Sequence, residues 1–106
     1  SNDGELDSFF RRHSGIDGVF ASSDVIAAEI IQACYRLGKR IPEDLKLIGY
    51  DDVPIASFVT PKLTTVKQPI REMCECTIDL IEKHLEDERV VGVYSFPVLL
   101  VERETT

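Results

Sequence analysis

The sequence predicts an α/β fold: a parallel-sheet βαβ unit followed by a C-terminal helix and strand. Three observations carry this. Two short apolar runs, Gly18-Val19-Phe20-Ala21-Ser22 and Leu45-Lys46-Leu47-Ile48-Gly49-Tyr50, each run into acids, Asp24 after the first and Asp51-Asp52 after the second. Between them, Ile26, Ala27, Ile30, Ile31, Ala33, Cys34 and Leu37 recur at helical spacing. Strand, helix and strand together take about 33 residues, the size of a βαβ unit, whose crossover makes its strands parallel.

The elements follow in order. Residues 5 to 13 form a short helix, with Leu6, Phe9 and Phe10 on one face and Ser14-Gly15 as its stop. Residues 18–22 are a buried strand. The helix from Asp24 to Leu37 has Ser23 or Asp24 to accept bonds from its first free N–H groups. Gly38 follows its last apolar residue, Lys39-Arg40 lie beside it, and Pro42 prevents it from resuming. The second strand spans 45–50. Residues 51–62 are a loop, unusually apolar in Ile55, Phe58 and Val59, and Leu63-Thr64-Thr65-Val66 is short and β-prone. Pro69 opens a long helix reaching Asp87, since proline suits a first helical position. Ile70, Met73, Cys74, Thr77, Ile78, Ile81 and Leu85 make its apolar stripe, opposite Glu72, Glu75, Asp79, Glu82 and Glu86. A final strand runs over 93–101, and Pro97 marks it as an edge or irregular strand.

Composition narrows the function. A chain of 106 residues suffices for one domain and one modest core. No apolar run approaches the ~20 residues that span a bilayer. No signal-peptide pattern opens the chain, and its abrupt start at Ser1-Asn2 is expected of a piece of something longer. A net charge of −7 argues against a DNA contact made by these residues. Three cysteines cannot pair completely, which points to a reduced, cytoplasmic setting. Cys34 and Cys74 read as small core residues. Cys74-x-Cys76 on a helix sends its thiols about 200° apart, so no metal site is expected there. His13 and His84 are isolated, and no catalytic pairing appears.

The acids are the candidate site. In open α/β sheets, ligands bind at the carboxyl ends of the strands, which gathers Asp24, Asp51 and Asp52 at one edge with Ser23 beside them. That geometry suits a polyol or an amine; a carboxylate there accepts paired hydroxyl hydrogen bonds from a sugar, and charge-assisted bonds of that kind fix orientation. Helix capping by Ser23 or Asp24 and turn formation by Asp51-Asp52 compete with this reading. In the loop, Phe58 and Val59 read either as core or as a patch awaiting a partner, with the interface preferred.

Several stretches in unbroken order resemble LacI/GalR-type transcriptional regulators. These are Phe20-Ala21-Ser22-Ser23-Asp24-Val25-Ile26-Ala27, Arg40-Ile41-Pro42-Glu43-Asp44-Leu45, Ile48-Gly49-Tyr50-Asp51-Asp52-Val53-Pro54, the segment 60–69, and the ending from Pro97 to Thr106. The resemblance covers residues 16 to 106. It implies a helix-turn-helix followed by a two-lobed, periplasmic-binding-protein-like effector domain, of which this chain is an incomplete C-terminal part. Residues 1–66 would belong to the C-terminal lobe, 67–92 would carry a helix of the N-terminal lobe, and 93–106 would hold the last strand region. The resemblance makes Asp51 the sugar-hydroxyl acceptor. Ser23 stands where many members place an Asn that contacts ligand, Asp24 is a weaker candidate, and Ile70 stands where some members stack an aromatic on the effector. Ala28 and Val59 fall at positions used in the family's dimer interface.

The resulting expectation is the effector-sensing, dimerising portion of a cytoplasmic, sugar-responsive regulator. It binds a sugar or sugar phosphate, needs no cofactor or metal and catalyses nothing. DNA is reached only through a segment outside this chain. With one lobe's sheet missing, the stripe of the last helix needs another partner, so oligomerisation with exchange of elements is expected. Two alternatives stay open: an extracytoplasmic sugar receptor of the same fold, and an enzyme using the acids for Mg²⁺-dependent phosphoryl chemistry.

Overall fold

The computed structural model describes residues 3–86 and 89–106. The chain divides into two compact units, one made of residues up to 67 together with 100–106, the other of residues 68–99. Its elements are α1 (Asp3–Arg12), β1 (Gly18–Phe20), α2 (Asp24–Arg36), β2 (Lys46–Tyr50), α3 (Ile55–Phe58), β3 (Thr64–Lys67), α4 (Ile70–Leu85) and β4 (Leu99–Val101). The strands form one sheet in the order β1-β2-β3-β4. β1 and β3 both pair with β2 in parallel, in registers Val19↔Leu47 and Gly49↔Thr65. The βαβ reading is therefore borne out, and a second parallel crossover runs through α3.

Side chains two apart share a sheet face, so Val19, Leu47, Gly49 and Thr65 look the same way. That face carries the helices. Leu45, Leu47, Leu63, Ala27, Ala33, Ala56 and Cys34 are at most 1% exposed there, with Ile30, Ile31 and Phe10 around them. Burying each large aliphatic side chain contributes about 1.5–3 kcal/mol. Arg36 on α2 reaches Asp7 on α1 through a bond of 2.8 Å. That ion pair holds the Asp7 carboxyl below its ordinary range, chiefly through the hydrogen bond from Arg36.

Several boundaries differ from the sequence reading. β1 stops at Phe20 because Ala21 onward turns into the cap of α2. The 51–62 loop contains the one-turn α3, which places Ala56 in the core, while Phe58 is 79% exposed and Val59 half-buried against the core. Only Leu99–Val101 of the expected 93–101 strand is extended in the sheet; Pro97, lacking an N–H, precedes it. The expected helix end at Asp87 lies outside the described residues.

The second unit, taken by itself, leaves its helix largely uncovered. No residue of α4 is buried, and Ile70, Ile78 and Ile81 are each 55% exposed. Cys74, expected in the core, is exposed, because the stripe it belongs to has no packing layer over it; Cys34 is buried, as expected. Among the described residues, no helix is long and apolar enough to cross a membrane.

Candidate functional site

Two local features build the edge where the acids gather. Ser23 caps α2 in an extended conformation, its Oγ accepting from the Ile26 N–H at 3.2 Å. The capping reading of Ser23 therefore holds, and its hydroxyl proton is still available to donate. At the end of β2, Asp51 and Asp52 have φ values of 104° and 56°. Non-glycine residues seldom take positive φ, and aspartate is among the few that do. Two in succession reverse the chain sharply, at a cost on the order of 1–3 kcal/mol each.

Three tethers hold that turn. The Asp51 N–H donates to the Val66 carbonyl at 2.7 Å, tying it to β3. Asp52 Oδ1 accepts from Arg103 Nη2 at 2.7 Å. The Val53 N–H donates to Asp24 Oδ2 at 2.7 Å, tying the turn to the start of α2. With its backbone fixed, the turn leaves Asp51 exposed at the carboxyl end of β2. The aromatic side chains of Phe20 and Tyr50, with ring centroids 6.3 Å apart, sit side by side at the ends of β1 and β2.

Asp24 has a different job from Asp51. It is 1% exposed, and its second oxygen, Oδ1, accepts from the Thr65 hydroxyl at 2.6 Å. Both oxygens are thus engaged inside the fold, which makes Asp24 a fastening between α2, β3 and the turn. It also explains Gly49. A Cβ on Gly49 would meet Asp24 Oδ1 and would stand 2.8 Å from Leu63 Cδ2. The buried carboxylate is hydrogen-bonded and lies in the first turn of α2, where the helix dipole favours negative charge.

Sequence reasoning missed what Arg103 and Thr105 of the C-terminal segment do. Arg103 Nη1 donates to the Leu63 carbonyl at 2.8 Å as Nη2 holds Asp52. Thr105, fully buried, donates through Oγ1 to the Leu47 carbonyl at 2.7 Å and accepts there from the Thr64 N–H at 2.9 Å. The Leu47 N–H in turn donates to the Thr105 carbonyl at 2.9 Å. The segment therefore fills the gap beside the starts of β2 and β3. A threonine and an arginine near a chain's end carry no local signal of such roles.

Of the other candidates, Ala28 is half-buried on α2, and Ile70 is 55% exposed on α4 in the second unit. Among the described residues, no group of three or more His, Cys, Asp or Glu side chains is arranged to hold a metal ion. Asp24 is occupied by Val53 and Thr65, and Asp52 by Arg103, so the three acids do not converge on one point. An open groove of about 750 Å³ between α1 and α2, lined by Leu6, Phe9, Arg12, Ile26 and Glu29 among others, touches neither Ser23 nor Asp51. Its lining includes no buried polar group to orient a ligand.

Residues 4–106 match the family described as periplasmic binding protein-like domain. The ribose operon repressor of Halalkalibacterium halodurans is 44% identical over 95 residues, which is 89% of this chain and 29% of that protein. The chain thus spans about three-tenths of the curated relative's length. Among solved structures, a LacI family transcriptional regulator from Enterococcus faecium with bound ribose superposes with a TM-score of 0.83 at 30% identity, over 98% of this chain and 39% of that one. A periplasmic binding protein/LacI transcriptional regulator from Alkaliphilus metalliredigens, complexed with D-xylulofuranose, gives a TM-score of 0.77 at 37% identity, over 85% and 34%.

Proposed function

The chain belongs to the periplasmic binding protein-like domain family, and from that premise we propose that it forms part of the sugar-sensing domain of a cytoplasmic, DNA-binding transcriptional regulator. Its relatives include sugar-operon repressors, and its structural neighbours include LacI-family regulators, which matches the resemblance seen in the motifs. The effector is a sugar, with a pentose first in line. This is supported by the ribose operon repressor among the relatives and by the ribose and D-xylulofuranose in two neighbours.

One observation carries the site: Asp51 is presented at the sheet's carboxyl edge by a turn of two positive-φ residues, held by three separate tethers. A carboxylate carried on a fixed backbone has less freedom to lose when it accepts two hydroxyl hydrogen bonds, which favours binding. Ser23 adds a hydroxyl from the neighbouring strand end. Asp24 acts by fastening the turn, and Ile70 is assigned to the effector by the family resemblance alone. The first unit corresponds to the C-terminal lobe, and the segment from 67 to 92 carries a helix of the other lobe. In the full-length regulator, sugar binding then shifts the balance between DNA-competent and DNA-incompetent states, to the extent that its affinity for the two differs. The regulator is a dimer, with Ala28, Phe58 and Val59 at its interface. It is no enzyme: nothing in the proposed role calls for a nucleophile or a general base. An extracytoplasmic receptor of the same fold has less support, since the relative at 44% identity is an operon repressor.

The test is calorimetric titration of the full-length regulator containing this chain with D-ribose, D-xylulose, D-glucose and their phosphates. Saturable binding of one of these at micromolar to millimolar Kd, with a change in operator affinity on saturation, is the expected result. Binding with no effect on operator affinity would move the chain to the receptor class, and absence of binding to any of them would remove the sugar-sensing role.

A further inference from the structure

We infer that Arg103 is a positioning residue for the sugar-binding Asp51, acting through Asp52; the inference rests on the reading of Asp51 given above. Arg103 ion-pairs with Asp52 of the acidic turn at 2.7 Å, and it does so in a shielded place. Its side chain is 19% exposed and that of Asp52 is 15% exposed. Water and salt screen such a pair less than a surface pair.

The geometry makes Arg103 a brace between two elements. Nη2 donates to Asp52 Oδ1 at 2.7 Å, while Nη1 donates to the Leu63 carbonyl at 2.8 Å. The planar guanidinium fixes the angle between those two bonds, which an ammonium cannot do. The base of the side chain is held as well. The Arg103 N–H donates to Thr64 Oγ1 at 2.8 Å, and next door the Glu104 N–H donates to the Lys62 carbonyl at 2.9 Å while Glu104 Oε1 accepts from the Lys62 N–H at 2.7 Å. The guanidinium therefore projects from a segment already fixed to β3.

The consequence for Asp51 follows from the backbone. Asp52 holds a φ of 56° directly after Asp51 at 104°. Positive φ at a non-glycine residue costs on the order of 1–3 kcal/mol even where aspartate tolerates it, so two in succession keep this shape because the tethers hold them. Release of Asp52 lets the pair fall back toward ordinary negative φ. That rotation swings the Asp51 carboxylate away from the orientation in which it meets a ligand, though Asp51 itself is unaltered. Arg103 would thus set affinity without touching sugar.

The test uses the full-length regulator and D-ribose as the probe. Arg103→Ala, Arg103→Lys, Asp52→Asn and the double variant Arg103→Ala/Asp52→Asn are titrated calorimetrically, and thermal midpoints confirm that each is folded at the titration temperature. Arg103→Ala and Asp52→Asn should each weaken ribose binding at least tenfold. Arg103→Lys should recover only part of the loss. The double variant should bind within about twofold of the weaker single, because the two residues act along one path. Arg103→Ala binding within twofold of the parent overturns the inference, as does a double-variant loss equal to the product of the two singles. If Arg103→Ala does not fold, Asp52→Asn decides alone, and parental affinity in it overturns the inference. A parent that does not bind ribose, or an Asp51→Ala variant that binds like the parent, removes the Asp51 reading and this inference together. Loss in Asp51→Ala with none in the Arg103 and Asp52 variants removes this inference only.

Discussion

At the scale of the residue, the acids at the sheet edge separate into three roles. Asp51 is exposed, Asp52 is ion-paired to Arg103, and Asp24 is buried with both oxygens accepting. The sequence placed all three at one edge, because apolar runs ending in acids are a local pattern. Local pattern alone could not rank them, because the partners that distinguish them are Val53, Thr65 and Arg103, between 29 and 51 positions away; only the family resemblance put Asp51 ahead of Asp24. Asp24→Ala removes an acceptor from the Val53 N–H and the Thr65 hydroxyl at once. Hydrogen bonds to a charged group contribute about 1.5–3 kcal/mol each, so urea unfolding should show a loss of roughly 3 kcal/mol or more. A loss below 1 kcal/mol would contradict the fastening role. Gly49→Ala drives a Cβ into Asp24 Oδ1 and the Leu63 methyl, an overpacking that should cost about 1–3 kcal/mol. A glycine within a strand pattern was the one sequence signal of that close approach.

At the scale of the element, α2 was readable because its determinants are local: the Ser23 cap, an apolar period of about 3.6 residues, and Gly38 at positive φ after its end. α3 escaped notice because four residues are too few to show a period. The C-terminal segment was placed by the family resemblance, but its bonding role was not, because that role consists of contacts. Thr105 serves β2 and β3 through Leu47 and Thr64, 58 and 41 positions away. Thr105→Val keeps the shape but leaves the buried Leu47 carbonyl and Thr64 N–H short of a partner, which should cost about 2–4 kcal/mol in chemical denaturation. The turn after α2 gives a pH signature. Asp44 accepts from the side chain and the N–H of Arg40, and the Arg40 hydrogen bond, more than any other cause, lowers its pKa from 3.8 to about 2. A carboxyl with a depressed folded pKa contributes stability that is fully present above its unfolded value and is lost as pH falls through the folded one. The stability of this turn should therefore decline between about pH 4 and pH 2, and Asp44→Asn should flatten that part of a pH–stability curve. A parental curve in Asp44→Asn would show that the pair contributes nothing.

At the scale of the whole molecule, the exposed stripe of α4 is the feature with consequences beyond the chain. Ile78 and Ile81 are each 55% exposed and Leu85 is 77% exposed, and contiguous apolar surface of that kind marks an interface. The sequence showed the stripe and its need for a partner, since amphipathicity is periodic; it could not show the partner, which is not among the described residues. The chain by itself should self-associate as its concentration rises in analytical ultracentrifugation, and Ile78→Glu/Ile81→Glu should return it to monomer. A parent that stays monomeric at high concentration would contradict this. The sugar-sensing role itself depends on one carboxylate, so the most direct measurement is a pair of D-ribose titrations of the full-length regulator, parent and Asp51→Ala, each with operator affinity measured alongside. Saturable binding by the parent, at least a hundredfold weaker binding by Asp51→Ala, and equal operator affinity without sugar is the predicted outcome; equal ribose affinity in the two proteins would contradict it.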